Sequence, residues 1–158
     1  MADSLPRPEL PECVEELLCF TIYSAGHAFT RAYNPLLKKL NLSYPQYIAL
    51  TVLWEENELT VGALGSRLKL DSNTMTPLLK RLEKLGYIKR SRGKKDQRQV
   101  LVSLAPSGRA LQKNASNITQ CIIDSTGYNH ETLDSLVKTI ATLRDNVLQA
   151  SMRDKDSA

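Results

Sequence analysis

No apolar run in this 158-residue chain approaches the roughly 20 residues that a bilayer-spanning helix needs, so no membrane role is expected. Cysteine is scarce: Cys13, Cys19 and Cys121 only. An odd count at irregular spacing excludes the disulfide framework of a small secreted domain and points to a reducing, cytoplasmic setting. No His or Cys pair has zinc spacing, and His27 and His130 lack liganding neighbours. Neither metal nor cofactor is expected, and both histidines read as surface or packing residues. There is no internal repeat and no low-complexity tract. The N-terminus has no basic region followed by an apolar one, so it does not read as a signal peptide. Its prolines, Pro6, Pro8 and Pro11, place the ordered start near Glu12, leaving 1–11 flexible.

Positive charge is present but concentrated. Residues 61–104 hold eleven Lys and Arg (Arg67, Lys69, Lys80, Arg81, Lys84, Lys89, Arg90, Arg92, Lys94, Lys95, Arg98) against Asp71, Glu83 and Asp96. That is a net +8 in a chain whose total is +4, so the remainder is acidic. A face built this way suits a polyanion, although charge alone also fits an unevenly charged solvated surface.

The periodicity around that charge is mostly helical. Val14, Leu17, Leu18, Ile22, Ala25, Ala28, Phe29 and Ala32 recur at helix spacing from a start near Pro11, and Asn34-Pro35 is expected to interrupt them. Ser43 with Gln46 reads as a capping box, with Pro45 in the first turn of a helix through Trp54. Thr60 caps a short helix, Val61–Leu68. After a turn at 69–71, Asp71 or Ser72 caps a second, from about Asn73 to Leu85, ended by Gly86. Two short helices joined by a tight turn make a helix-turn-helix. In the second, Met75, Leu78, Leu79, Leu82 and Leu85 form the buried stripe, while Thr76, Pro77, Lys80, Arg81 and Lys84 face away and are free to enter a groove. Residues 87–90 and 99–104 read as strands of a hairpin with a basic tip, a wing. Asp96 and Arg98 would point the same way on an extended segment, letting Asp96 aim the guanidinium. Ala105-Pro106-Ser107 opens a further helix with Leu111, Ala115, Ile118, Cys121 and Ile122 on one face and Gly127 at its end. Asn129 caps a last helix striped by Leu133, Leu136, Val137, Ile140, Leu143 and Val147. The polar tail from Ser151 reads as frayed.

The expected fold is mainly α with a small β-wing: a winged helix-turn-helix whose N- and C-terminal helices form a dimer. Its parts are a flexible 1–11, a dimerisation helix region with a candidate sensor cysteine over 12–42, the winged helix-turn-helix over 43–104, dimerisation helices over 105–150 and a flexible 151–158. Duplex recognition by this motif uses two half-sites about one helical turn apart, hence a two-fold dimer.

Several motifs in order resemble the MarR family of winged-helix transcriptional regulators over about residues 12–150. They are Asp96-Gln97-Arg98 before Val100–Leu104, then Pro106-Ser107-Gly108, and the segment from Leu70 to Glu83. Together with Leu18-Cys19-Phe20-Thr21-Ile22-Tyr23 and Leu42-Ser43-Tyr44-Pro45-Gln46-Tyr47, they resemble its organic-hydroperoxide-sensing, OhrR-type branch. The resemblance implies a repressor that binds a double-stranded, inverted-repeat operator. Its contacts would be Ser72, Asn73, Thr74, Thr76, Pro77, Lys80 and Arg81 on the recognition helix, and Arg92, Lys94, Lys95 and Arg98 on the wing, with Asp96 in support. It further implies that an organic hydroperoxide oxidises Cys19 and that the protein then leaves its operator.

Cys19 and Tyr23 are four apart and share a helix face, where a phenol could donate to the sulfur. Thiolate attacks peroxide to give sulfenic acid. Glu15 and Glu16 lie nearby and act in the opposite sense. Tyr33 and Tyr44 match the tyrosines that, in the family, reach the sulfur from the partner subunit. Cys121 of a second copy is the candidate resolving thiol, with Cys13 or a small thiol as alternatives. Taken singly, each tyrosine could be packing and Cys19 an inert thiol. Three rival functions remain open: a repressor gated by a phenolic ligand, a thiol peroxidase using Cys19, and a dimeric adaptor for acidic proteins. Against the peroxidase, no Arg or Thr near Cys19 assembles a peroxide-activating pocket.

Overall fold

The computed structural model describes residues 13–93 and 96–156. Its helices are α1 (Leu18–Lys38), α2 (Tyr44–Glu56), α3 (Val61–Leu68), α4 (Ser72–Lys84), α5 (Pro106–Ala110), α6 (Gln112–Ser125) and α7 (His130–Asp156). Strands β1 (Glu58–Thr60), β2 (Ile88–Arg92) and β3 (Val100–Leu104) form one antiparallel sheet in the order β1-β3-β2. The chain divides into two compact units, residues 1–119 and 120–158.

Local chemistry explains most boundaries. At the start of α2 the Gln46 side chain accepts the backbone N–H of Ser43 at 2.9 Å. Thr60 takes the amide of Ala63 and Asp71 that of Thr74, fixing the first turns of α3 and α4. Lys69 adopts the left-handed conformation (φ 56°, ψ 37°) that turns α3 into α4. Gly86, at φ 77°, ends the recognition helix. Asn129 Oδ1 accepts from the amide of Thr132 at the head of α7.

Leu37, Leu50, Leu53, Leu64, Met75, Leu79, Leu82, Ile88 and Val102 are fully buried. They come from α1 to α4 and the sheet, so the helix-turn-helix is bolted to the helices before it and the wing after it. Each such side chain contributes about 1.5–3 kcal/mol of burial.

Five expectations are corrected. The helix expected to begin near Pro11 begins at Leu18: a 3₁₀ turn, Val14–Glu16, precedes it, and Leu17 is extended between them. Pro11 itself lies outside the described residues. Asn34-Pro35 does not interrupt α1, which continues to Lys38. The missing Pro35 N–H costs about 3 kcal/mol, and burial of Leu37 with packing of Leu36 and Leu40 against the core offsets it. The wing is three-stranded, because Glu58–Thr60 pairs with Leu101–Ser103. The helix opened by Pro106 breaks at Leu111 into α5 and α6. Trp54 Nε1–H donates to the Gly108 carbonyl at 2.9 Å, the acceptor that Gln112 would use in an unbroken helix. The last helix passes Ser151 and runs to Asp156, since extending a formed helix costs far less than nucleating one. No described helix is long and apolar enough to cross a membrane.

Candidate nucleic-acid interface and thiol site

The recognition helix α4 divides cleanly. Met75, Leu78, Leu79 and Leu82 are buried, whereas Ser72, Asn73, Thr74, Thr76, Pro77, Lys80 and Arg81 are exposed on the other side. The exposed face is partly pre-oriented: Thr76 Oγ1–H donates to the Ser72 carbonyl at 2.9 Å. The Asp71 carboxyl is held below its usual range, chiefly by the backbone N–H of Thr74.

On the wing, Gly93 N–H donates to the Gln99 carbonyl and Gln99 N–H to the Asp96 carbonyl, closing a tight tip. Here the expected geometry is corrected. Residues 97–98 form a turn rather than an extended run, and Asp96 Oδ1 accepts the backbone N–H of Arg98 at 2.9 Å. Asp96 therefore shapes the loop through the Arg98 backbone, and among the described residues the guanidinium forms no ion pair. Arg92 and Arg98 are exposed; Lys94 and Lys95 lie outside the described residues. A cleft of ≈ 500 Å³ opens between the start of α3 (Thr60–Gly62), Thr76 and the wing residues Arg90, Arg98 and Gln99.

Arg67 is forked between Glu55, at 2.6 Å, and Glu56, and Arg90 is bound to Glu83 at 2.6 Å. Of the nine cations of residues 61–104 among the described residues, Arg67 and Arg90 are thus ion-paired within the chain. Conversely, Lys38 and Arg81 line one groove of ≈ 580 Å³ at the capped start of α2. Sequence reasoning missed Lys38; the signal was the basic pair Lys38-Lys39 ending α1.

Cys19 is the second residue of α1 and is exposed. Tyr23, one turn later, is 63% exposed, with its ring edge-on to His27 at 4.5 Å between centroids. Tyr33 and Tyr44 pack together at 4.7 Å, and Tyr33 lies 5.6 Å from Tyr47. Burial above all, then Tyr44 and Tyr47, pushes the Tyr33 phenol up to about 12, and burial followed by Tyr47 raises Tyr44. Both remain protonated hydrogen-bond donors at neutral pH. Fourteen residues of helix separate Cys19 from Tyr33, about 21 Å along the axis. One chain therefore holds Cys19 with Tyr23 at one end of α1 and the tyrosine pair at the other. Cys121, expected on a buried stripe, is exposed. The buried positions of α6 are Ala115, Ile118 and Ile122, and Cys121 falls beside them. Tyr47 and Trp54 were also unforeseen: the Tyr47 hydroxyl hydrogen-bonds Thr119 Oγ1 at 2.9 Å, so α2 grips both α5 and α6.

Two short capped helices with an exposed polar face, followed by a wing, define a winged-helix DNA-binding module. Residues 31–115 match the family described as transcriptional regulator SarA/Rot. The chain is 44% identical over 137 residues to the HTH-type transcriptional regulator TtmR of Methylorubrum extorquens, covering 87% of this chain and 70% of that one. It is 43% identical over 136 residues to the organic hydroperoxide resistance transcriptional regulator of Bacillus subtilis, covering 86% and 92%. Among solved structures, reduced AbfR bound to DNA, a Staphylococcus epidermidis protein, superposes with a TM-score of 0.70 at 33% identity, over 83% of this chain and 91% of that one. The chain belongs to the SarA/Rot family of transcriptional regulators and shares the winged-helix fold of MarR. It is a regulator of transcription.

Proposed function

We propose that this chain is a homodimeric repressor that releases an inverted-repeat operator when an organic hydroperoxide oxidises Cys19. The carrying observation is an exposed thiol in the first turn of α1, the helix whose far end packs into the DNA-binding module. The Bacillus relative, an organic hydroperoxide resistance regulator by name, supports the choice of oxidant.

The sulfur attacks the outer peroxide oxygen and the O–O bond breaks. Sulfenic acid forms on Cys19, and the other oxygen leaves as the alcohol. A second thiol then displaces water from the sulfenic acid to give a disulfide. Cys121 of a second copy is the proposed resolving thiol, and its exposure favours access; Cys13, also exposed, and a small thiol are the alternatives. Tyr33 and Tyr44 of one copy serve Cys19 of the other, because about 21 Å of helix keeps them apart within a chain. Ser72, Asn73, Thr74, Thr76, Pro77, Lys80 and Arg81 enter the major groove, while Arg92, Lys94, Lys95 and Arg98 reach along the wing. Oxidation moves the two recognition helices off the half-site spacing.

The test is anisotropy of a labelled duplex selected from a random pool for tight binding. Reduced protein is added first, then cumene hydroperoxide, then dithiothreitol. Binding should be lost at about one oxidant per subunit and restored by reductant. Cys19→Ser should bind as tightly as wild type and ignore the peroxide; release of that variant by peroxide would sink the proposal.

A further inference from the structure

The recognition helix faces a polyanion, yet its last turns carry a carboxylate, Glu83. Such a charge weakens binding to phosphate unless it is cancelled. Arg90 on β2 cancels it. Arg90 Nη2–H and Nε–H donate to Glu83 Oε2 at 2.6 and 3.0 Å, and the Arg90 backbone N–H donates to Glu83 Oε1 at 3.2 Å. Three donors of one residue converge on one carboxylate. The hydrogen bond from Arg90 also holds the Glu83 carboxyl below its usual range.

The position of Arg90 gives the pair its meaning. Arg90 lines the ≈ 500 Å³ cleft together with Thr76 of the recognition helix and Arg98 of the wing. Its guanidinium, if released, would stand among groups that face DNA. Arg98 in the same cleft forms no ion pair with any described residue. Among the described residues, Arg90 is thus ion-paired and Arg98 is not.

We propose that Glu83 is a specificity-determining residue: it withholds Arg90 from the DNA backbone beside the residues that read bases. A phosphate contact binds every sequence alike and carries no sequence information. Adding one strengthens non-specific binding, which competes with the operator across the genome. This requires only that the module binds DNA and is independent of the redox chemistry at Cys19.

Wild type, E83Q, R90Q and the double variant E83Q/R90Q would be titrated over a series of salt concentrations, against the selected duplex and a scrambled duplex of equal length. E83Q should bind the scrambled duplex about three- to tenfold more tightly and steepen the salt slope by about 0.9, the signature of one added phosphate contact. Its preference for the selected duplex should fall accordingly. The double variant should return to the wild-type slope and preference, and R90Q should keep the wild-type slope. An E83Q slope equal to wild type overturns the proposal. So does a double variant that behaves like E83Q, since Arg90 is then not the agent. Should E83Q fail to fold, as judged by thermal melting, R90Q decides: a slope shallower than wild type by about 0.9 means Arg90 already contacts phosphate, and the proposal fails.

Discussion

At the scale of single residues, Tyr33 shows how position sets chemistry. Its ring lies against Tyr44 and Tyr47, and burial outweighs the other influences that hold the phenol protonated up to about 12. The unfolded chain ionises this group near 10.0, while the folded chain does not until about 12. Between those values the unfolded state binds fewer protons, so rising pH favours unfolding. Denaturation followed from pH 9 upward should therefore show stability falling through this window. Tyr33→Phe should flatten that part of the fall, and an unchanged profile would show that Tyr33 is not its source. Identity was legible at this scale and environment was not. Cys19 and Tyr23 could be placed on one helix face by counting, but the packing of Tyr23 on His27 needed the fold. The Asp96–Arg98 pair was recognised by spacing, but its geometry was misread because the segment turns.

Among elements, the joint behind the recognition helix is the most constrained. Ala105 N–H donates to the Tyr87 carbonyl at 3.0 Å, the Ser107 hydroxyl donates to the Gly86 carbonyl, and the Tyr87 hydroxyl donates to the Leu40 carbonyl at 3.2 Å. Gly108 sits at the tightest point: a Cβ there would lie 2.0 Å from the Tyr87 carbonyl oxygen. Gly108→Ala must push α5 away from the turn and disturb the Trp54–Gly108 hydrogen bond. The expected loss is about 1–3 kcal/mol, read as a lower melting temperature with a red shift of Trp54 emission. A variant as stable as wild type would contradict this packing. The caps Thr60 and Asn129 were legible to the residue and Asp71 as one of two candidates, because each acts on an amide three positions away. Strand β1 was not. Three residues carry too little periodicity to announce a strand, and Glu58–Thr60 becomes one only because β3 offers a free edge.

For the whole molecule, the informative surface is apolar. Leu18, Ile22 and Phe29 on α1 are exposed, as are Leu136, Val137, Ile140, Val147 and Leu148 on α7. Under the proposed two-fold arrangement a second copy covers these faces. Val137, 66% exposed, is a direct probe. Val137→Asp should shift sedimentation toward monomer and weaken binding to a two-half-site duplex by more than about tenfold, while the helix-turn-helix stays folded. A variant that stays dimeric and binds normally would place the contact elsewhere. The sequence alone carries the helix-turn-helix, the caps at Thr60 and Asn129, the two faces of α4 and a basic hairpin after it, because each follows from periodicity or from groups a few residues apart. Packing in the folded chain settles that Arg67 and Arg90 are ion-paired, that Pro35 lies within a helix, that α5 and α6 are separate and that Cys121 is exposed. Those outcomes depend on which side chain meets which across long stretches of chain, and no local count of residues contains that.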